Sequence, residues 1–282
     1  MAVIAMTSLA GAPGVTTSTV AWALHSQRPT LIVEADVTGG SAILAGVWEG
    51  TRRHQPSILA LASADPQDYR DTIYQQAQLL PECDDRWVLP AVGSGVQAAS
   101  MLHVWGPLSA TLAEISRTTG VDVLVDAGRL GMSGSAWPLI DAADAVLLFT
   151  DSTTPALNAA HIALPTLRAE LDASGSHERL AVVPVLAPPG PTSLAARLSG
   201  RAEAGRAMRQ TVRGQVAASV HPTKAIAGIR YDPRAASVYS DGMPTGRFTG
   251  SYVHDIERLI EATDAHIRRY RALLGVQEGT RP

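Results

Sequence analysis

The stretch Ser8-Leu9-Ala10-Gly11-Ala12-Pro13-Gly14-Val15-Thr16-Thr17-Ser18 decides the fold. It follows the apolar run Ala2 to Met6, which reads as a buried strand, and it leads into Thr17–His25, which reads as a helix. A strand, a glycine-rich turn and a hydroxyl-bearing helix start make the setting of a phosphate-binding loop. There, backbone N–H groups and the positive end of the helix face an anion. The usual pattern places Lys before the Thr, reaching the β- and γ-phosphates. Here that position is Val15. Lys224 is the only Lys in the chain, and every other of the 23 basic residues is Arg. A preference for Arg explains scarce Lys. It does not explain Val at a phosphate-facing position, because Arg was available to fill it.

Outward from this loop, apolar β-type runs alternate with helical patterns, as in a parallel sheet covered on both faces. The strands expected are Val3–Thr7, Thr30–Glu34, Trp87–Pro90, Val121–Val125, Ala145–Thr150, Leu180–Leu186 and Ala225–Ile229. The helices expected are Thr17–His25, Gly40–Trp48, Pro66–Leu79, Val104–Thr118, Ser135–Ala142, Pro155–Ala173, Leu194–Arg213 and Tyr252–Leu274, with Gly93–Ser100 a loop. The fold class is therefore α/β, an open, mostly parallel β-sheet with helices on both faces. One domain is expected over residues 1–276, with a flexible tail at 277–282.

Composition bounds the function. A hydrophobic content of 46% over 282 residues supports a sizeable core. A net charge of −3 argues against a globally basic nucleic-acid binder. The single Cys83 excludes an internal disulfide and a cysteine-based metal cluster. There is no basic segment before the first apolar run and no apolar run of about 18 residues, so a soluble cytoplasmic protein is expected. The His residues show no pair at metal-ligand spacing.

Two further stretches bring carboxylates to strand ends. Leu31-Ile32-Val33-Glu34-Ala35-Asp36 is followed by Val37-Thr38-Gly39-Gly40. Asp36 is placed where it could orient a water or hold Mg²⁺ through water, or simply cap the following turn. Val121-Asp122-Val123-Leu124-Val125-Asp126 runs into Ala127-Gly128-Arg129-Leu130-Gly131. This is the Walker-B arrangement, in which the strand-ending Asp supports the Mg²⁺ shell. Arg129 stands in the loop that follows, where it either replaces the missing positive charge or is an ordinary surface Arg.

These landmarks, in this order, resemble the ParA/MinD class of deviant Walker P-loop ATPases. So do Asp144–Thr150 followed by Thr154-Pro155-Ala156-Leu157, and Ile226-Ala227-Gly228-Ile229-Arg230-Tyr231-Asp232-Pro233 running to Gly242-Met243-Pro244. The last segment is similar to the class's "IPYD … GxP". The resemblance covers essentially the whole chain. It implies an ATP and Mg²⁺ site made by Gly11, Ala12, Pro13, Gly14, Val15, Thr16, Thr17 and Arg129, with Thr16, Asp36 and Asp126 at the metal and Asp36 and Asp126 in any catalysis.

The chain departs from the class in ways that weaken that site. The class's signature lysine, which crosses a dimer to the partner's nucleotide, is Ala10, and the second lysine is Val15. The first Asp of its D-x-D is Glu34, the Asn after the Leu180–Leu186 strand is missing from Leu186-Ala187-Pro188-Pro189, and the Pro of "IPYD" is Arg230. Each lost phosphate-contacting donor removes on the order of 10²–10³ in rate. The resemblance thus implies a degenerate member with weakened ATP binding and little or no hydrolysis, positioning or regulating a pilus, secretion or partition apparatus. Degenerate members of this kind are similar to the TadZ/CpaE group. A divergent but active ATPase switch and a DNA-binding partition factor are the alternatives.

Partners follow from the same reading. A protein partner or a second copy would meet the loop edge formed by Gly11–Pro13, Asp36–Gly40 and Gly128–Gly131. Arg206, Arg209 and Arg213 share one helical face, with Arg197 and Arg201 nearby, and could contact DNA phosphates or simply be solvated. Tyr252, Ile256, Leu259, Ile260, Ile267, Tyr270 and Leu274 form an amphipathic pattern expected to dock on the core, since Asp255, Glu257, Glu261 and Asp264 oppose a membrane role.

Overall fold

The computed structural model describes residues 1–9, 14–52, 57–132, 134–175, 177–186, 224–243 and 249–275. Its strands are β1 (Val3–Ser8), β2 (Thr30–Glu34), β3 (Gln78–Leu79), β4 (Arg86–Leu89), β5 (Asp122–Arg129), β6 (Ala145–Asp151), β7 (Leu180–Leu186), β8 (Lys224–Ala225) and β9 (Ile229–Arg230). They form one sheet in the order β3-β4-β2-β5-β1-β6-β7-β8, with β9 also pairing β7. All pairings are parallel except β3 with β4.

Strand patterning explains why both faces are covered. In β1, Val3 and Ala5 enter one apolar cluster while Ile4 and Met6 enter the other. In β6, Val146 and Leu148 go one way and Ala145, Leu147 and Phe149 the other. Alternate side chains point to opposite faces, so a strand apolar at every position must be buried on both. One face is packed by α3 (Tyr69–Gln76), α5 (Trp105–Thr119), α6 (Trp137–Asp141) and α7 (Thr154–Ala173). The other is packed by α1 (Val15–His25), α2 (Ala42–Val47), α8 (Pro233–Ser240) and α9 (Gly250–Leu273). A short α4 (Gly95–Ala98) lies beyond β4.

Several expectations are corrected. The helix expected over 66–79 becomes a 3-10 turn at Pro66–Asp68, then α3, then β3. Ala77 ends α3 in an extended conformation, which leaves Gln78 and Leu79 to add antiparallel to β4. The loop expected over 93–100 contains α4, because burying Ala98 and Met101 orders it. The strand expected over 225–229 is divided into β8 and β9. The break is at Gly228, where an added Cβ would lie 3.3 Å from the Pro184 carbonyl oxygen. Helix α8 was not expected. It starts at an Asp232 cap that accepts the N–H groups of Arg234 and Ala235, with Pro233 at the first turn. Helix α9 buries Tyr252, Ile256, Leu259 and Ile267 as expected, whereas Leu274 is exposed. The expected helix over 194–213, with Arg206, Arg209 and Arg213, lies outside the described residues, as does the tail at 277–282. No helix among the described residues is long and apolar enough to cross a membrane.

Candidate functional site

Strand β1 lies between β5 and β6, and the chain leaves it in the direction of β2. The strand order thus reverses around β1, and the crevice beyond the carboxyl ends of the strands at such a point is where open α/β sheets bind ligands. The loop residues 10–13, including Gly11, Ala12 and Pro13, lie outside the described residues. Gly14 is described, and its φ of 99° is the left-handed conformation that favours glycine. Helix α1 begins directly after it, two residues earlier than the sequence suggested, with no side chain capping its first N–H groups. Those donors and the helix dipole give this end a positive potential.

Val15 is 6% exposed and packs into the core, so an apolar side chain occupies the position where the pattern has Lys. Thr16 sits one residue on, and its hydroxyl lies close enough to the carboxylate of Asp126, in β5, to favour its charged form. Asp126 also accepts from the Gly128 N–H at 3.1 Å. It is buried, and desolvation pushes its pKa up to about 6, with the negative charge of Asp36 adding to the effect.

Asp36 reaches this cluster from the end of β2. Its carboxylate accepts from the Thr38 N–H and hydroxyl, both at 2.8 Å, so the turn-capping role is real. It also lies directly over Gly128, where an added Cβ would be 2.9 Å from the Asp36 Cβ. Gly128 has a φ of 59°, so only glycine combines that backbone with this close approach. The Gly128 carbonyl accepts from the Thr7 hydroxyl, and the Leu130 N–H donates to the Ser8 carbonyl. These bonds tie the two loops to the end of β1.

Glu34 pairs with Asp126 in the strand register but turns its carboxylate elsewhere. It accepts from the Ser41 hydroxyl, the Ile43 N–H and the Ala91 N–H, and so fixes the start of α2. Burial pushes its pKa up to about 7 against those hydrogen bonds, and Asp126 contributes in the same direction. Arg129 is exposed at the end of β5, opposite Ser8 in the register, with no ion-pair or hydrogen-bond partner among the described residues. Among the described residues no cluster of three or more His, Cys, Asp or Glu is arranged to hold a metal by itself.

A cavity of about 270 Å³ opens beside the start of α1. Gly14, Thr17 and Ser18 form one wall, and Arg230, Asp232 and Asp241 stand on others. Tyr252 also lines it, its hydroxyl 3.4 Å from the Ser18 hydroxyl and its ring packed on Tyr239. Arg230 is held by the buried Asp255: Nε donates to Oδ2 at 2.7 Å and Nη2 to Oδ1 at 3.2 Å. Sequence reasoning noted Arg230, Tyr231 and Asp232 as one segment, but read Tyr252 only as a core position. It quoted Ser18 only as the end of the loop stretch and gave neither Ser18 nor Asp241 a role at a site.

No protein-family model matches the chain, and no curated protein matches it. Solved structures do. A ParA family ATPase from Chlorobium tepidum is 12% identical with a TM-score of 0.66, over 92% of this chain and 98% of that one. A chain of the MinC:MinD cell division protein complex from Aquifex aeolicus is 15% identical with a TM-score of 0.59, over 100% and 99%. The septum site-determining protein MinD of Pyrococcus horikoshii, complexed with Mg-ADP, is 16% identical with a TM-score of 0.57, over 94% and 98%. The chain has a ParA/MinD-like P-loop fold.

Proposed function

We propose that this protein uses a ParA/MinD-like nucleotide site as a recognition device, positioning or regulating a larger assembly with little or no hydrolysis. One observation carries the reading. Thr16 beside Asp126 and Asp36 over Gly128 are kept at the carboxyl edge of β1, while buried Val15 stands where a phosphate-contacting cation is needed.

The loop through Gly11, Ala12, Pro13 and Gly14, with Thr16 and Thr17, would hold the phosphates through N–H and hydroxyl groups. Thr16, Asp36 and Asp126 offer oxygen donors, the ligand type Mg²⁺ takes. The ion, when bound, neutralises phosphate charge. The cavity bounded by Ser18, Arg230 and Tyr252 receives the nucleoside. The Pyrococcus horikoshii relative's Mg-ADP supports such a ligand, and the Aquifex aeolicus MinC:MinD complex supports a protein partner at this fold. The assembly served is a pilus, secretion or partition apparatus.

The test is to measure MgATP binding and phosphate release separately on the full chain. Binding with release no faster than that of Asp36→Ala is expected. Turnover abolished by Asp36→Ala would refute the reading and favour a divergent ATPase switch. Arg129, exposed and unpaired among the described residues, is then the residue to replace next.

A further inference from the structure

We propose that this protein pairs with a second copy of itself through an uncharged apolar face built on α4 and the start of α5, in a two-fold contact that needs no nucleotide. The face is distinct from the loop at Gly11–Pro13, and the inference stands whether or not that loop holds a nucleotide.

The sequence sets this face apart. From Trp87 to Ala113 the chain has no Asp, Glu, Lys or Arg, and neither has Leu130 to Ile140. Burial does not account for this. Twelve positions between Gly93 and Ala113 are exposed, and every one of them is uncharged or His103. A soluble surface is about 25–35% charged, so three or four charges would be expected among them.

The structure brings the large apolar side chains of the two stretches together. Val96 is 87% exposed, Leu102 61% and Met132 39%. Exposed Ala99 lies three residues from both Val96 and Leu102, and α4 continues into a 3-10 turn at Ala99–Met101, so the three share one side. Leu102 Cδ2 is 3.9 Å from where a Cβ on Gly134 would stand. Met132 is two residues from Gly134, at most about 7 Å along the chain. Single exposed apolar side chains are ordinary. A contiguous group of them, cleared of charge, has the composition of an interface centre.

The segments that carry these groups are pinned. Gly39 lies so close to Ser94 that an added Cβ would be 2.5 Å from the Ser94 Cα. The Gly40 N–H donates to the Val92 carbonyl at 2.9 Å, and the Gly93 N–H to Gln97 Oε1 at 2.8 Å. Trp105 Nε1 donates to the Gly134 carbonyl at 3.2 Å and ties α5 to the loop after β5. The face is therefore presented ready-made, with little ordering cost on binding.

Its chemistry selects the occupant. A nucleic acid, an anionic lipid surface or a charged peptide finds no charge here to pair with. A two-fold contact sets the same patch against itself, so charges of one sign would meet and repel. This face is free of that repulsion and complements its own copy. Charge returns only at the rim, with Glu114 held by Arg70 at 3.5 Å and with exposed Arg129. Helix α5, 15 residues long, extends about 22 Å, and α4 with Met132 adds to its start. That is the scale of the smaller specific interfaces, about 1,200 Å² in total, so a dimer of micromolar Kd is expected.

The experiment is sedimentation velocity of the full chain from about 1 to about 300 µM, without nucleotide and again with MgATP. Reversible exchange between monomer and dimer, alike in both series, is expected. A monomer throughout overturns the inference and leaves the face to a different protein. A dimer that forms only with MgATP overturns it as well. Val96→Glu/Leu102→Glu and Val96→Lys/Leu102→Lys change exposed positions, so the melting temperature should hold while self-association weakens by about a hundredfold or more. An equimolar mixture of the two variants should associate more tightly than either alone, because opposite charges then face each other. Self-association unchanged in both variants, or a mixture no tighter than its components, overturns the assignment.

Discussion

Gly46 holds one wall of the cavity, and replacing it with Ala should move that wall. Gly46 lies in α2 where the helix crosses the end of α8. A Cβ there would overlap the Ser240 carbonyl oxygen and lie 2.6 Å from the Ser240 carbonyl carbon, closer than real Cβ atoms approach. Both are backbone atoms, so no side chain can swing aside; the helices must part by about 1 Å against a close-packed interior. Alanine in a helix interior is otherwise favoured over glycine by about 1 kcal/mol. Overpacking of this kind costs about 1–3 kcal/mol or more, so the clash wins. Gly106 in α5 is the control, being exposed with nothing within 4 Å of an added Cβ. Gly106→Ala should be neutral or stabilising by a few tenths of a kcal/mol to about 1. Urea unfolding of both variants measures the sign. Gly46→Ala should also weaken nucleotide binding, because Ser240 and Asp241 line the cavity. A Gly46→Ala protein as stable as wild type would refute the argument that this helix crossing is rigid.

Three other outcomes are expected. Glu34 has its pKa raised to about 7 by burial, so its stability contribution is full below the unfolded value near 4.5 and is lost as pH rises to about 7. Relative to Glu34→Gln, the ligand-free wild type should lose about 3 kcal/mol across that window, and parallel pH profiles in urea unfolding would rule this out. Arg28 bridges fully buried Asp122 and Asp264, so Arg28→Ala should destabilise by about 2–4 kcal/mol; thermal melts showing less than about 1 kcal/mol would mean Asp122 finds other compensation. Self-association, with the crossing lysine replaced by Ala10, should not depend on ATP. Light scattering that shows an ATP-driven shift from monomer to dimer would contradict this.

The sheet was legible in the sequence because burial on both faces leaves a local mark. Strands such as Val3–Ser8 and Ala145–Asp151 are apolar at nearly every position, and glycine-bearing turns follow the strands that end at the site. The left-handed Gly14 before α1 and the carboxylates Asp36, just after β2, and Asp126, within β5, were readable for the same reason: each is set by its immediate neighbours. Tertiary structure decided what depends on distant partners. Strand β3 exists because β4 offers an edge, overriding the helical pattern that precedes it. That Val15 packs into the core is known only from the packing around it. Arg230 becomes a fixed donor only because Asp255, 25 residues on, is buried beneath it. The cavity joins the start of α1 to α8 and α9, more than two hundred residues further along the chain, and no local pattern records that contact.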